Sequence, residues 1–339
     1  MPDNTLSDSA PTTAPAGPAT PEPRRQVRAI TVWTSVGPFA VFAVLFALVA
    51  ILRPNFVGGG GLPILATQAT AILLVGLGQA MVLHVGSIDL SNAAIALFGA
   101  ILLAKSIGTM GVGGIVLVIV VCSAIGALNG ILIAFFQVPS FALTLGTLGL
   151  LQAASLIISN ATTVYASNAG IVSSLFTQGI ANLAMAFWIA VLVAVVLWAM
   201  LRFTVLGQSM TAVGLNETGA LFSGIRTRLI KIVAFTLSGL LSSLAGIMII
   251  AQAGSASSTG LGSDLLLPGI TAAIVGGTAI TGGITNPINV IFGALTVTLI
   301  PIGAAALGVP SEAQSLVYGL VIIIAVALTI SRRNVGVVK

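Results

Sequence analysis

The chain has 339 residues, 57% of them hydrophobic and only 6% charged, with a formal net charge of +5. A soluble domain carries about a quarter charged residues to keep its surface solvated, so twelve Lys and Arg with seven Asp and Glu exclude an ordinary water-soluble fold. The basic residues stand at the ends of apolar runs rather than in a patch interleaved with aromatics, which excludes nucleic acid as a partner and leaves the bilayer as solvent.

Residues 1–23 are rich in Pro, Ala, Thr and Ser and offer almost no large apolar side chain. Such a stretch cannot offset the entropy of ordering, so 1–28, closed by Arg24, Arg25 and Arg28, is expected to be a disordered cytoplasmic tail. The apolar run 30–52 that follows exceeds the roughly 7 to 15 residues of a signal-peptide core and reads as an uncleaved anchor. Further apolar segments at 62–86, 90–108, 113–136, 141–159, 182–201, 231–253, 265–284, 288–305 and 314–331 bring the expected crossings to ten. The fold class is therefore all-α: a polytopic transmembrane domain over 29–331, with helices broken near the middle and a cytoplasmic tail at 332–339.

Orientation follows from the connectors. The gap 160–181 carries no charge, whereas 202–230 holds Arg202, Arg226 and Arg228 and leads into Lys231. Cationic loops stay in the cytoplasm. With both termini inside and ten crossings, only Arg53 and Lys105 of the twelve basic residues fall outside. Gly126 and Gly130 form a G-x-x-x-G pair suited to close helix packing.

Chemistry of the enzymatic kind lacks candidates. Gly99 to Ser106 approaches a phosphate-cradling loop, but Ala104 replaces its second glycine and the stretch lies in an apolar span. There is one histidine, His84, and one cysteine, Cys122, so metal and acid–base sites are not expected. Ionisable groups for ion coupling are equally scarce, Asp89 with nearby His84 being the exception.

Two polar interruptions divide apolar segments. Gly86-Ser87-Ile88-Asp89-Leu90-Ser91-Asn92 reads either as a capped helix start or as a break lining a solute path. Gly276-Gly277-Thr278-Ala279-Ile280-Thr281-Gly282-Gly283, followed by Thr285, Asn286 and Pro287, reads as a loop, a packing contact or a second break. They fall in opposite halves of the chain, a pairing that points to a central site. In the loop 202–230, Asn216 is placed to cap a short helix, Glu217 to sit at its positive end and Gly224 to end it. Ala220, Leu221 and Phe222 would give that helix an apolar patch, suited to a groove on a soluble partner or to the membrane surface.

At these residues the sequence resembles the ribose-type monosaccharide permeases of bacterial ABC importers. Four blocks carry the resemblance: Gly86-Ser87-Ile88-Asp89-Leu90-Ser91; Asn129-Gly130 with Val138-Pro139-Ser140-Phe141 and Thr144-Leu145-Gly146-Thr147; Ala212 to Asn216 with Ala220 and Ser223-Gly224-Ile225; and Gly276-Gly277-Thr278 with Gly282-Gly283. The resemblance covers about residues 35–330. The resemblance implies a permease in the bacterial inner membrane, paired with a second copy or a related chain. It would be served by cytoplasmic ATP-binding subunits and by an extracytoplasmic solute-binding protein that delivers sugar. This chain would bind no cofactor itself, ATP and Mg being used by the partner ATPase. Gly214, Asn216, Glu217, Ala220, Leu221, Phe222 and Gly224 would couple to that ATPase. Asp89, Ser91, Asn92, Asn129, Ser140, Thr144, Gly276, Gly277, Thr278, Gly282 and Gly283 are the pathway candidates. Asn92-Ala93 and Thr285-Asn286-Pro287 depart from the family pattern, so no particular sugar carries over. The scarcity of cations along the spans favours a neutral solute. Permeases for branched-chain amino acids or nucleosides, and an ion-coupled carrier, remain the alternative readings.

Overall fold

The computed structural model describes residues 24–58, 60–177, 179–258, 263–306 and a few single positions between 308 and 323. Residues 1–23 of the expected tail 1–28, the C-terminal tail and most of the tenth crossing, 314–331, lie outside the described residues, whereas Arg24 to Arg28 are not a disordered tail but the first turns of a helix.

The chain opens with α1 (Arg24–Leu52) and the short α2 (Pro54–Gly58), then α3 (Gly61–His84), α4 (Asn92–Met110), α5 (Val112–Phe136) and α6 (Ser140–Ser159). The uncharged gap holds α7 (Gly170–Thr177) and two-residue strands, β1 (Val164–Tyr165), β2 (Gly179–Ile180) and β3 (Leu183–Ala184). Next come α8 (Met185–Phe203), α9 (Val205–Leu215), α10 (Glu217–Phe222) and α11 (Thr227–Ala253), then β4 (Ser255–Ala256). A 3₁₀ turn at Ser263–Leu265, α12 (Leu266–Val275) and α13 (Pro287–Ala306) complete the described elements. Among the described residues seven helices are long and apolar enough to cross a membrane: α3, α4, α5, α6, α8, α11 and α13. The protein is thus an all-α, multi-pass membrane protein.

Two further expectations change. The segment 265–284 passes from one end to the other but not as one continuous helix, because α12 covers only Leu266–Val275. Ten residues span about 15 Å, half of a bilayer core. Gly277, at φ +85°, takes a left-handed conformation that the helix cannot absorb. The loop 202–230 is mostly helical, since α9 precedes the expected short helix.

The bundle is built around α11, which packs against α5, α3 and α4. Small residues allow the approach. A β-carbon on Gly126 would meet the Phe235 carbonyl, and one on Gly130 would lie 2.7 Å from Ile232 Cα, so the G-x-x-x-G pair sits at the α5–α11 crossing. In the most apolar windows of α3, α4 and α11 67% of residues are buried, against 17% in α6. The first three therefore form the centre, and α6 presents most of its circumference to the surroundings.

Contacts sort the connectors into two ends. At one, the Gly283 amide donates to the His84 carbonyl at 2.9 Å, and a groove brings Gly86, Gln137, Ser140, Glu217 and Arg226 together. At the other, β1 pairs with β4, the Ala166 amide donates to the Gly254 carbonyl at 2.9 Å, and the Ser159 and Ser258 hydroxyls lie 3.1 Å apart. The long helices from α3 to α11 thus alternate in direction, α12 and the stretch after it lead back to the first end so that α13 runs parallel to α11, and Arg202, Arg226, Arg228 and Lys231 share the first end.

Candidate functional site

The first break joins α3 to α4. Gly86 turns the chain at φ +75°, and the following amides lose their helical acceptors. Inside an apolar bundle they need others. Two hydroxyls one turn apart on α6 supply them: Ile88 N donates to Ser140 Oγ at 3.0 Å and Leu90 N to Thr144 Oγ1 at 3.0 Å. Asp89 completes the closure. Its Oδ1 accepts from Ser91 N at 2.9 Å and Ser91 Oγ at 2.6 Å, and its Oδ2 accepts from Ser238 Oγ on α11 at 2.8 Å. Asn129 Nδ2 on α5 donates to Ser91 Oγ at 3.0 Å, and Thr147 Oγ1 on α6 donates to Asn129 Oδ1 at 2.8 Å. Asn92 Nδ2 donates to the Val75 carbonyl at 3.3 Å and Gln79 Oε1 at 3.2 Å, both on α3. One polar network therefore clamps five helices. Asp89, Ser91, Asn92 and Thr144 are fully buried and Asn129 nearly so.

The second break runs from Gly276 to Asn286 between α12 and α13. Ala279 N donates to the Ile284 carbonyl at 2.9 Å, and the Thr278 and Thr285 hydroxyls share a 2.7 Å hydrogen bond. Asn286 Oδ1 accepts from Ile288 N at 3.1 Å, and Pro287, which has no amide to satisfy, takes the first position of α13. Gly282 and Gly283 stand at φ +89° and +76°.

The two breaks meet each other and the 202–230 loop. Gly282 approaches Gly86 so closely that a β-carbon on it would lie 3.0 Å from Gly86 Cα, and one on Gly214 would lie 2.5 Å from Gly283 N and would also strike the His84 carbonyl. Thr211 Oγ1 of α9 and His84 Nε2 share a hydrogen bond at 3.0 Å. Residues 84–86, 211–215 and 281–283 thus form one joint held by backbone contact.

From that joint the chain runs into α10. Asn216 Oδ1 accepts from Gly219 N at 2.9 Å, so it caps the helix. Glu217, in the first turn, is bridged to Lys231 at 2.6 Å, and Gly224 lies beyond the helix end at φ +80°. The patch expected from Ala220, Leu221 and Phe222 is smaller than read. Ala220 is 4% exposed because it faces the bundle, while Leu221 and Phe222 are 58% and 87% exposed.

The structure divides the pathway candidates sharply. Gly277 is exposed and Ser140 half-buried, whereas Asp89, Ser91, Asn92, Asn129, Thr144, Gly276, Thr278, Gly282 and Gly283 are buried within the protomer. Gly214, grouped with the ATPase-facing residues, packs instead against the breaks. Sequence reasoning missed Ser238 and Thr211, and gave Thr147 no role beyond its place in a family block. Each is a hydroxyl within a helix, and its partner lies 149, 127 or 18 residues away. For Ser238 and Thr147 a polar residue in an apolar span was the available signal.

The sequence has relatives of known name over most of its length. A family model described as "branched-chain amino acid transport system / permease component" matches residues 62–326. The chain is 33% identical to the ribose import permease protein RbsC of Escherichia coli over 290 residues, covering 84% of this chain and 89% of that protein. It is 32% identical to RbsC of Bacillus subtilis over 300 residues (88% and 93%), and 31% identical to the D-allose transport system permease protein AlsC of Escherichia coli over 310 residues (87% and 91%). No solved structure matches the chain. By the extent of the family match and the coverage of these relatives, the chain belongs to the branched-chain amino acid transport system permease component family.

Proposed function

We propose that the chain is the membrane-embedded permease subunit of an ATP-driven importer in the bacterial cytoplasmic membrane, passing a monosaccharide or similar neutral polyol. Its relatives are named for ribose import and D-allose transport, and the family description supplies the one favoured alternative, a branched-chain amino acid. The end bearing Arg202, Arg226, Arg228 and Lys231 faces the cytoplasm. There a partner ATPase binds ATP with Mg and docks on Leu221 and Phe222 of α10. A binding protein delivers solute on the opposite face, and a second permease, identical or related, completes the path.

The observation that carries the reading is the joint at Gly214. A displacement of α10 passes through Asn216 to α9, and Gly214 touches both the carbonyl end of α3 and Gly283. Motion at the docking helix therefore reaches both helix breaks without an intervening flexible segment. The network around Asp89 holds the α4, α5, α6 and α11 side of the first break as one body. ATP binding and hydrolysis would switch the two breaks between outward and inward access.

The test is ATP hydrolysis by the cognate ATPase reconstituted with this chain in proteoliposomes. Sugar-loaded binding protein is expected to stimulate it, and Leu221→Asp/Phe222→Asp is expected to abolish the stimulation while the permease still folds. Stimulation by an amino-acid-loaded binding protein instead would move the assignment to the alternative substrate. Solute movement driven by an ion gradient, with no ATPase bound, would overturn the importer reading.

A further inference from the structure

A groove of about 890 Å³ lies beside α10, between the α5–α6 connector and the start of α11. Its walls carry three cations, Arg226, Arg228 and Lys231, and one acid, Glu217. Lys231 and Glu217 are paired to each other, while among the described residues neither Arg226 nor Arg228 has an acidic partner. Arg228 stacks over the Phe135 ring at 5.3 Å from its centroid, an arrangement that leaves guanidinium N–H groups free to donate. The far wall is apolar and continues out of the groove. Leu128, Leu132, Phe135 and Phe136 are all exposed along α5, and their spacing places them on one side of a membrane-spanning helix.

A cationic mouth that opens onto an apolar strip at the end of a spanning helix matches an amphiphile with an anionic head and hydrocarbon tails. We propose that the groove holds an anionic phospholipid, its phosphate on Arg226 and Arg228 and an acyl chain along Leu128, Leu132 and Phe136. Charge supports that occupant: three cations against one acid leave the groove two positive charges in excess. The apolar strip separates a lipid from free phosphate, which has no use for it. The lipid would touch the wall formed by Leu221 and so stand against the flank of α10. This inference needs only the membrane placement of the chain and is independent of the transported solute.

The experiment is native mass spectrometry of the full-length chain in neutral detergent, titrated with phosphatidylglycerol or with phosphatidylcholine of the same acyl chains. Wild type is expected to retain phosphatidylglycerol preferentially, and millimolar inorganic phosphate is expected to displace none of it. Each cation near an anionic headgroup contributes about a five-fold factor, so Arg226→Gln/Arg228→Gln is expected to weaken the anionic lipid about thirty-fold and leave phosphatidylcholine unchanged. Arg202→Gln removes an exposed cation at the same end but outside the groove and is expected to change nothing. Arg228→Lys, which keeps the charge, is expected to retain most of the binding, and an unaltered unfolding midpoint checks that each variant is folded. Lack of preference for phosphatidylglycerol in wild type, or equal loss in Arg202→Gln, would overturn the proposal. So would a double variant that binds lipid normally but no longer captures the ATPase, because the groove would then belong to an acidic protein surface. The lipid measurement uses no ATPase, so its failure and that of the importer reading are separable.

Discussion

Asp89 offers both carboxyl oxygens to donors it could not replace with water: Ser91 N and Oγ on one, Ser238 Oγ on the other. Removing the carboxyl with Asp89→Ala leaves those donors buried, at roughly 1–3 kcal/mol for each one unsatisfied. Asp89→Asn keeps the oxygen facing Ser91 and asks Ser238 only to turn its hydroxyl, so its cost is expected to be about 1 kcal/mol. Thermal unfolding in detergent should therefore rank the variants wild type, then Asn, then Ala, with Ala well separated; equal effects would mean that the network does not support the break. Gly214 makes a different demand, for space. A methyl group there meets the His84 carbonyl and the Gly283 amide, both backbone atoms that cannot rotate away. Gly214→Ala is accordingly expected to uncouple solute-stimulated ATP hydrolysis from transport, or to lower both at least ten-fold, even where the chain inserts normally. Of the Asp89 cluster, the contact with Ser91 is local to the sequence, because Ser91 lies two residues away. The contact with Ser238 is not, because only the packing of α11 against α4 makes it.

Helix α10 has six residues and could not persist alone, since short helices are marginal in water. It is held by the Asn216 cap, the Glu217–Lys231 bridge and the burial of Ala220. The bridge is half exposed on the Glu217 side and adds little. The cap contributes about 1 kcal/mol. Asn216→Ala is expected to speed amide exchange across 217–222 about five-fold, and to weaken ATPase capture in parallel, without altering exchange in α11. Such ends were legible before the fold was known, as cap and terminator residues act within a few positions. The same locality explains the errors. Ala220 looked like part of an exposed patch because nothing local shows which face of a short helix meets the bundle. The run 265–284 looked like one unbroken helix because hydropathy reports the solvent, not whether the backbone stays helical.

For the molecule as a whole, alternation of long helices places 202–230 and 160–181 on opposite faces. Cys122 is buried and is expected to stay silent to reagents, so single cysteines can test this directly. An impermeant maleimide is expected to label Thr163→Cys in intact cells and Thr218→Cys only after lysis, and labelling of both from one side would overturn the arrangement. By itself the sequence determined the solvent of the fold, its helical class, the positions of most crossings, the capped helix in the cationic loop and the two polar breaks. These follow from composition and from short-range hydrogen bonding, which act along the chain. Only the tertiary structure decided that the breaks and Gly214 meet in one joint, that most pathway candidates are sealed inside the protomer, and that Arg226 and Arg228 share a groove with Phe135. Those facts depend on which helices pack together at glycine-scale distances, and no periodicity in one dimension records that.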